Sequence, residues 1–270
     1  MKFLVFGGGG RIAVLFAKLA SPQALCYLCC AQQQAVSQRP LSLTRSDATL
    51  KSIGATPEVL DIEHATASQV LSLLKKTTPD VIVWAAAGSE GSAASMEAVD
   101  HQGARKVFDA AREANMKRVL VVSTIDARDG SLPYPKYYSE GSKLTSKTFQ
   151  TAMPDYLKAK YAAEVALQAS GLDFTCLRPG ALTNQPASGA LLGITEMARD
   201  GVTEVMDIGD MAAKLLPASR ELVAQVLLAS AEEPGTIGLT FQVMDGKKTV
   251  QEEIKKVVDE KIDVWKADYH

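Results

Sequence analysis

The chain predicts an α/β fold built on a doubly wound parallel sheet, and three features lead to that expectation. One is Lys2 to Ala20, KFLVFGGGGRIAVLFAKLA: a short apolar strand from Phe3 to Phe6, four glycines, then an apolar-periodic helix. Another is the alternation of strand-length apolar runs with helical patterns, because parallel neighbours need helical crossovers. A third is Val81-Ile82-Val83-Trp84-Ala85, a continuous apolar run of the kind buried on both faces of a parallel sheet.

The glycine stretch organises the rest. Its helix shows Ile12, Leu15, Phe16 and Leu19 at i, i+3, i+4, i+7 spacing. A strand that turns through glycines into a helix N-terminus suits a diphosphate. Glycine permits the turn and a close backbone approach, while free N–H groups and the helix dipole favour an anion. Gly7-x-x-Gly10-x-x-Ala13 has the spacing of one dinucleotide-binding variant. Ala13 is tolerable because that position only has to let helix and strand pack closely. Arg11, just inside the helix, either adds a phosphate contact or faces water. A plain tight turn is the competing reading of the whole motif. No acidic residue stands about 20 positions on to take the ribose hydroxyls; that region reads Cys29-Cys30-Ala31-Gln32.

Bulk properties narrow the field. The 270 residues, 47% hydrophobic and 22% charged, suffice for one large domain, or one and a half, with a substantial core. A net charge of −2 leaves no footprint for nucleic acid or an anionic membrane. No apolar run reaches membrane-spanning length, and the apolar start stops at the glycines, too short for a signal peptide. The expected location is cytoplasmic. Four cysteines, Cys26, Cys29, Cys30 and Cys176, fit reduced structural thiols. The Cys26-x-x-Cys29 pair has no second half to complete a metal set, and His64, His101 and His270 are scattered, so no metal is expected.

Taken in order, the segment from Ser21 to Pro40 fits neither a clean strand nor a clean helix. Leu41 to Arg45 alternates like a second strand, with Ala24 to Cys30 as the alternative. A short helix from about Asp47 to Ile53 leads to a third strand, Glu58 to Leu60, closed by Asp61. Helix 65–76 precedes strand 81–85, and a loop of small residues, Ala86 to Ser95, leads into a long helix, Met96 to Asn115. The fifth strand, Arg118 to Val122, ends at Ser123-Thr124. Ligands of such sheets sit outside the C-terminal strand ends near the topological switch, where Gly7, Gly10, Arg45, Asp61, Ala86, Ala87, Gly88 and Ser123 converge. Asp126 to Gln150 is a long polar loop rich in Tyr, Ser and Pro, read as a lid or substrate loop. Helix 155–170 and strand 174–177 follow, ending at Arg178-Pro179-Gly180. Residues 181–210 read as irregular and substrate-facing. Helix 219–230 and strand 239–244 come next. A final helix opens with a capping box (Thr249, Glu252) and carries an apolar stripe as far as Trp265.

Tyr156 and Lys160 stand one helical turn apart on one face. A nearby cation favours phenolate and pulls a pKa of about 10 toward the working range of a general acid. Such a tyrosine protonates a carbonyl oxygen as hydride reaches the carbon. The lysine also suits the nicotinamide ribose, and Ser123 the substrate oxygen. A helix-surface pair and a strand-end hydroxyl are the competing readings.

In its ordered motifs the chain resembles the short-chain dehydrogenase/reductase superfamily, in its atypical NAD(P)H-binding branch. The matching pieces are VFGGGGRIA, VLDIEHA, VIVWAAAGSEG, RVLVVSTIDARD, YLKAKYAAEVALQASGLDFTCLRPGALT and SRELVAQVLL, across about residues 1–245. The resemblance implies a Rossmann core over 1–180 and a small substrate-facing region over 181–270, together one structural unit. By position it implies a diphosphate turn at Gly7, Gly10 and Ala13, and a 2′-phosphate reader at Arg45. Asp61 falls at the adenine, Ala86, Ala87 and Gly88 flank the cofactor, and Pro179-Gly180 lie beside the nicotinamide. Ser123, Tyr156 and Lys160 take the catalytic positions. The expectation is an oxidoreductase that prefers NADP, with NAD as the other candidate, passing hydride to a small carbonyl, quinone or flavin-like substrate. A non-catalytic dinucleotide sensor and an epimerase or dehydratase are the alternatives. The expected partners are a small-molecule substrate, no nucleic acid and no membrane, with the chain a monomer or homodimer.

Overall fold

The computed structural model describes residues 1–21, 25–30, 47–88, 92–197 and 214–269. Side-chain alternation in the first strand sets up two cores. Strand β1 (Lys2–Phe6) sends Phe3 and Val5 to one face of the sheet and Leu4 and Phe6 to the other. On the first face, helix α1 (Arg11–Ala20) brings Phe16 edge-on to Phe3, with ring centroids 5.0 Å apart. On the second, Phe6 lies beside Trp84, 5.8 Å away. Burying each such side chain contributes about 1.5–3 kcal/mol.

The remaining strands extend this arrangement on both sides. In chain order they are β2 (Leu25–Cys30), β3 (Ala55–Val59), β4 (Val81–Trp84), β5 (Arg118–Val122) and β6 (Asp173–Pro179). Then come β7 (Ala181–Thr183), β8 (Ala190–Gly193), β9 (Pro217–Ser219) and β10 (Leu239–Asp245). Eight of them form one sheet in the order β3-β2-β1-β4-β5-β6-β10-β8, while β7 and β9 pair separately. Every pair in the large sheet is parallel except β10 with β8. Chain order reverses between β1 and β4, which opens a crevice at their carboxyl ends.

Helices cover both faces. Beyond α1, they run α2 (Asp47–Ser52), α3 (Ala67–Thr77), α4 (Ala93–Met96), α5 (Ala104–Glu113), α6 (Glu140–Ala152) and α7 (Pro154–Gln168). Then follow α8 (Arg220–Glu232), α9 (Val250–Asp259) and α10 (Val264–Tyr269). Helices α1, α8 and α9 share the core of Phe3, and α3, α5 and α7 share that of Leu4. A π-helical stretch, Glu97–Gly103, joins α4 to α5 without a break. No helix among the described residues is long and apolar enough to cross a membrane.

Several expectations change. Leu25–Cys30 pairs with β1 and occupies the second-strand position, so the alternative placement holds, and the Leu41 to Arg45 segment lies outside the described residues. Helix α1 buries Ile12, Ala13, Phe16, Ala17 and Ala20 while Leu19 faces outward; small residues that apolar counting overlooks do the packing. The supposed loop from Asp126 to Gln150 is helical from Glu140. Its buried face is made of Ser142, Thr145, Ser146, Thr148 and Phe149, so hydroxyls hid the helical period. Residues 181–183 and 190–193 are strands, not irregular chain. The terminal helix is two. Lys261 turns left-handed (φ 50°), the N–H of Ile262 returns to the Val257 carbonyl, and Asp263 accepts from the N–H of Trp265.

Candidate active site

The glycine turn forms one wall of the crevice. Gly7 has φ 83°, and a Cβ there would lie 2.5 Å from the Ala85 carbonyl oxygen and 2.7 Å from the Ala86 Cα. Only glycine lets the end of β1 press against the tail of β4 in this way. The Gly10 N–H donates to the Gly7 carbonyl at 2.8 Å, and Gly10 then begins α1 without a side-chain cap or an acidic first turn. The N–H groups of Arg11, Ile12 and Ala13 therefore stay available to an anion. Ala13 is buried, as close helix–strand packing requires.

A second wall runs from the end of β4 through the π-helical stretch to α7. The Gly88 N–H donates to Asp100 Oδ2 at 2.7 Å. Asp100 Oδ1 lies 2.7 Å from Lys160 Nζ, and that ammonium stands 5.7 Å from the centre of the Tyr156 ring. Lys160 and Asp100 are both buried. Burial alone would lower the lysine pKa, but the Asp100 carboxylate outweighs it and the pKa rises, so Lys160 is held charged. Tyr156 is half-buried against an apolar cluster that includes Ile125, Leu215 and Met244, and its hydroxyl has no hydrogen-bond partner among the described residues. A π-helical turn shifts side-chain phase locally, which is how Asp100 faces inward at this point.

A third wall is a buried ion cluster. Arg178 donates to Glu164 through Nε and Nη2 (3.1 and 2.8 Å), to Asp268 at 2.5 Å and to the Ala127 carbonyl at 2.7 Å. Ser123 donates its hydroxyl proton to Glu164 as well. Tyr137 donates to Asp268 at 2.7 Å, and burial pushes its phenol pKa far up. Tyr138 donates to Asp126 at 2.9 Å, and Asp126 also pairs with Arg128. Thus Tyr137 and Tyr138 of the expected lid lie inside the fold, while Tyr134 stays partly exposed over Arg128, 5.0 Å from the guanidinium.

The other predicted residues are distributed as follows. Ala86 is buried behind the glycine turn and Ala87 is exposed in the crevice. Asp61, past the end of β3, closes its own turn by accepting from the Glu63 N–H at 3.1 Å and pairing with His64 at 2.8 Å. Arg11 extends sideways to Asn184 at 3.2 Å. Pro179 and Gly180 sit at the end of β6, and a Cβ on Gly180 would overlap the Leu216 carbonyl. Arg45 lies outside the described residues. Sequence reasoning missed Asp100, Glu164 and Thr183. Glu164 stands one turn beyond Lys160, a spacing that could have drawn notice. Thr183, the last residue of β7, has a buried Oγ1 without a hydrogen-bond partner among the described residues. Among the described residues no cluster of His, Cys, Asp or Glu could hold a metal ion. Cys26 and Cys176 are free, buried thiols.

The site fits a pyridine dinucleotide on two structural grounds: a turn that tolerates no Cβ and an uncapped helix start. Comparison with known proteins points the same way. Residues 30–234 match the family model described as NAD(P)H-binding. The UPF0659 protein C216.03 of Schizosaccharomyces pombe is 31% identical over 93% of both chains. Among solved structures, a putative NAD-dependent epimerase/dehydratase from Bacillus halodurans superposes with a TM-score of 0.67 at 22% identity, covering 95% of this chain and 99% of its own. The oxidoreductase ylbE from Lactococcus lactis gives 0.66 at 21% identity, covering 96% and 97%. These two likenesses establish the Rossmann-like fold. With the glycine turn, the crevice and the matched family model in agreement, the chain belongs to the NAD(P)H-binding family.

Proposed function

We propose that the protein is an NAD(P)H-dependent oxidoreductase acting on a small carbonyl, quinone or flavin-like substrate. The observation that carries this reading is the connected path Gly88–Asp100–Lys160–Tyr156, which joins the cofactor crevice to a tyrosine whose hydroxyl has no hydrogen-bond partner among the described residues. A bound reduced nicotinamide supplies hydride to the substrate. Gly7, Gly10 and Ala13 shape the diphosphate turn, while Ala86, Ala87, Gly88, Pro179 and Gly180 border the remainder of the cofactor. Tyr156 donates a proton to the substrate oxygen, and the Lys160 charge stabilises the resulting phenolate. Asp100 fixes Lys160 in place. Ser123 donates its hydroxyl hydrogen to Glu164, so in this arrangement it has none to give a substrate carbonyl oxygen and can only accept from a donor group on the substrate. The absence of an acidic residue in Cys29-Cys30-Ala31-Gln32, which end β2 and follow it, favours NADP over NAD.

Turnover of NADPH against carbonyls, quinones and flavins is the direct test. Tyr156→Phe should reduce kcat by about 10²–10⁴-fold while cofactor affinity persists; an unchanged kcat removes Tyr156 from the mechanism. The engaged Ser123 hydroxyl favours a second reading, a dinucleotide sensor without turnover. That reading predicts cofactor binding and no hydride transfer to any acceptor class.

A further inference from the structure

On the outer flank of α1, a cleft of about 270 Å³ opens against the start of α8 and the chain that follows β7. Arg11, Val14 and Lys18 line it from α1, and Asn184, Arg220 and Glu221 from the other side. Arg11 Nη1 and Arg220 Nη1 both donate to Asn184 Oδ1, at 3.2 and 3.0 Å. Two guanidinium groups thus meet on one neutral oxygen, and Arg220 Nη1 also donates to the Leu182 carbonyl at 3.2 Å. Among the described residues, none of the ion pairs includes Arg11, Lys18 or Arg220. The nearby carboxylate of Glu221 accepts from the Ala187 N–H at 3.0 Å. Burial, followed by the charge of Arg11, lowers the Arg220 pKa, as expected of cations brought together without a counter-charge. The buried Arg128 and Arg178 each hold a carboxylate, whereas Arg118, like Arg220, donates only to neutral oxygens, those of Asp173, Ser230 and Thr236.

We propose that this cleft is an anion site for a phosphoryl-bearing ligand, gripped by the guanidinium groups of Arg11 and Arg220, with Lys18 further along the same flank. Two planar forks suit a group with several oxygens better than a single acceptor does. The cleft starts at the first residue of α1, beside the N–H groups left open by the glycine turn. The phosphoryl group therefore belongs either to a bound dinucleotide, which rests on the function proposed above, or to a separate phosphorylated small molecule, which does not.

Calorimetric titration of the whole chain with inorganic pyrophosphate, NADPH and NADH separates these cases. Arg220→Met and Asn184→Asp are the variants; the second places a carboxylate between the two arginines and fills the site from within. Pyrophosphate affinity should drop about tenfold or more in both, and wild-type affinity should fall as salt rises. A parallel loss of dinucleotide affinity identifies the dinucleotide as the source. Dinucleotide affinity unchanged, with pyrophosphate binding lost, identifies a separate ligand. A wild-type chain that holds pyrophosphate through Arg220 yet binds neither dinucleotide keeps the cleft and ends the cofactor reading. If Asn184→Asp and Arg220→Met both fold, by unchanged circular dichroism, and alter neither pyrophosphate nor dinucleotide affinity, the cleft is no anion site.

Discussion

The two sides of the crevice are built on opposite principles. On the β1–α1 side, polar demand is left open. Helix α1 starts without a cap, whereas α3 and α9 start with complete capping boxes at Thr66 and Thr249. Arg11 and Arg220 share the neutral oxygen of Asn184. On the β5–β6–α7 side the buried charges are matched internally: Lys160 with Asp100, and Arg178 with Glu164 and Asp268. On the proposed reading the difference separates two tasks: open N–H groups and cations serve a ligand's phosphates, while closed ion pairs fix Lys160 and Arg178 in place.

The largest expected effect is on the closed side. Arg178→Met leaves Glu164 and Asp268 buried without their cation and should destabilise the fold by about 3–5 kcal/mol in urea unfolding. A loss below about 1 kcal/mol would show that the cluster is not the closed unit described. On the open side, Gly7→Ala meets both the left-handed penalty of about 1–2 kcal/mol and overlap with the backbone of Ala85 and Ala86, about 1–3 kcal/mol more. Its diagnostic result is different: dinucleotide binding by calorimetry should vanish under conditions where the variant is still folded. Retained affinity would mean that the turn is merely structural.

The same contrast governs what the sequence made legible. The open side is local. Strand, glycines and helix lie within Lys2 to Ala20, so the turn at Gly7 and Gly10 could be read directly. The closed side is assembled from afar. Asp100 reaches Lys160, and Asp268 reaches Arg178, across long stretches of chain, and one sequence carries no record of such pairs. The π-helical phase that turns Asp100 inward is likewise invisible to a regular helical period. Helix α6 escaped because its buried face is lined with hydroxyls, and the division at Lys261 because a left-handed non-glycine residue leaves no mark. Strands β1, β4 and β5, by contrast, are plain in the sequence, because their continuous apolar runs sit at the centre of the sheet.

Asp100→Asn tests the link between the two sides with an intermediate effect. The amide keeps the shape but removes the counter-charge of Lys160, at a cost of about 1.5–3 kcal/mol for a hydrogen bond to a charged group. The pH dependence should also invert. In the native chain the Lys160 pKa is raised above 10.5, so its contribution is complete below that value and is lost only as pH climbs through the higher folded value. Without Asp100, desolvation dominates and the folded pKa falls below the unfolded one. Stability should then increase as pH rises toward 10.5. Urea unfolding of both proteins at a series of pH values checks the sign; matching profiles would detach Asp100 from Lys160.

The smallest expected effect concerns Asp61, the one predicted ligand residue whose carboxylate is already committed within its own turn. Asp61 raises the pKa of His64 above 6.5, first by its hydrogen bond and then by its charge. His64 is fully exposed, so whatever this contributes to stability is slight. It is complete below the unfolded pKa and disappears as pH rises through the folded one. Asp61→Asn should bring the His64 titration, followed by NMR, back toward 6.5 while leaving dinucleotide affinity nearly unchanged. A strong loss of affinity with the His64 shift intact would reverse the assignment. Asp61 would then belong with the open groups of the crevice, and its bonds to Glu63 and His64 would be a resting arrangement that the adenine displaces.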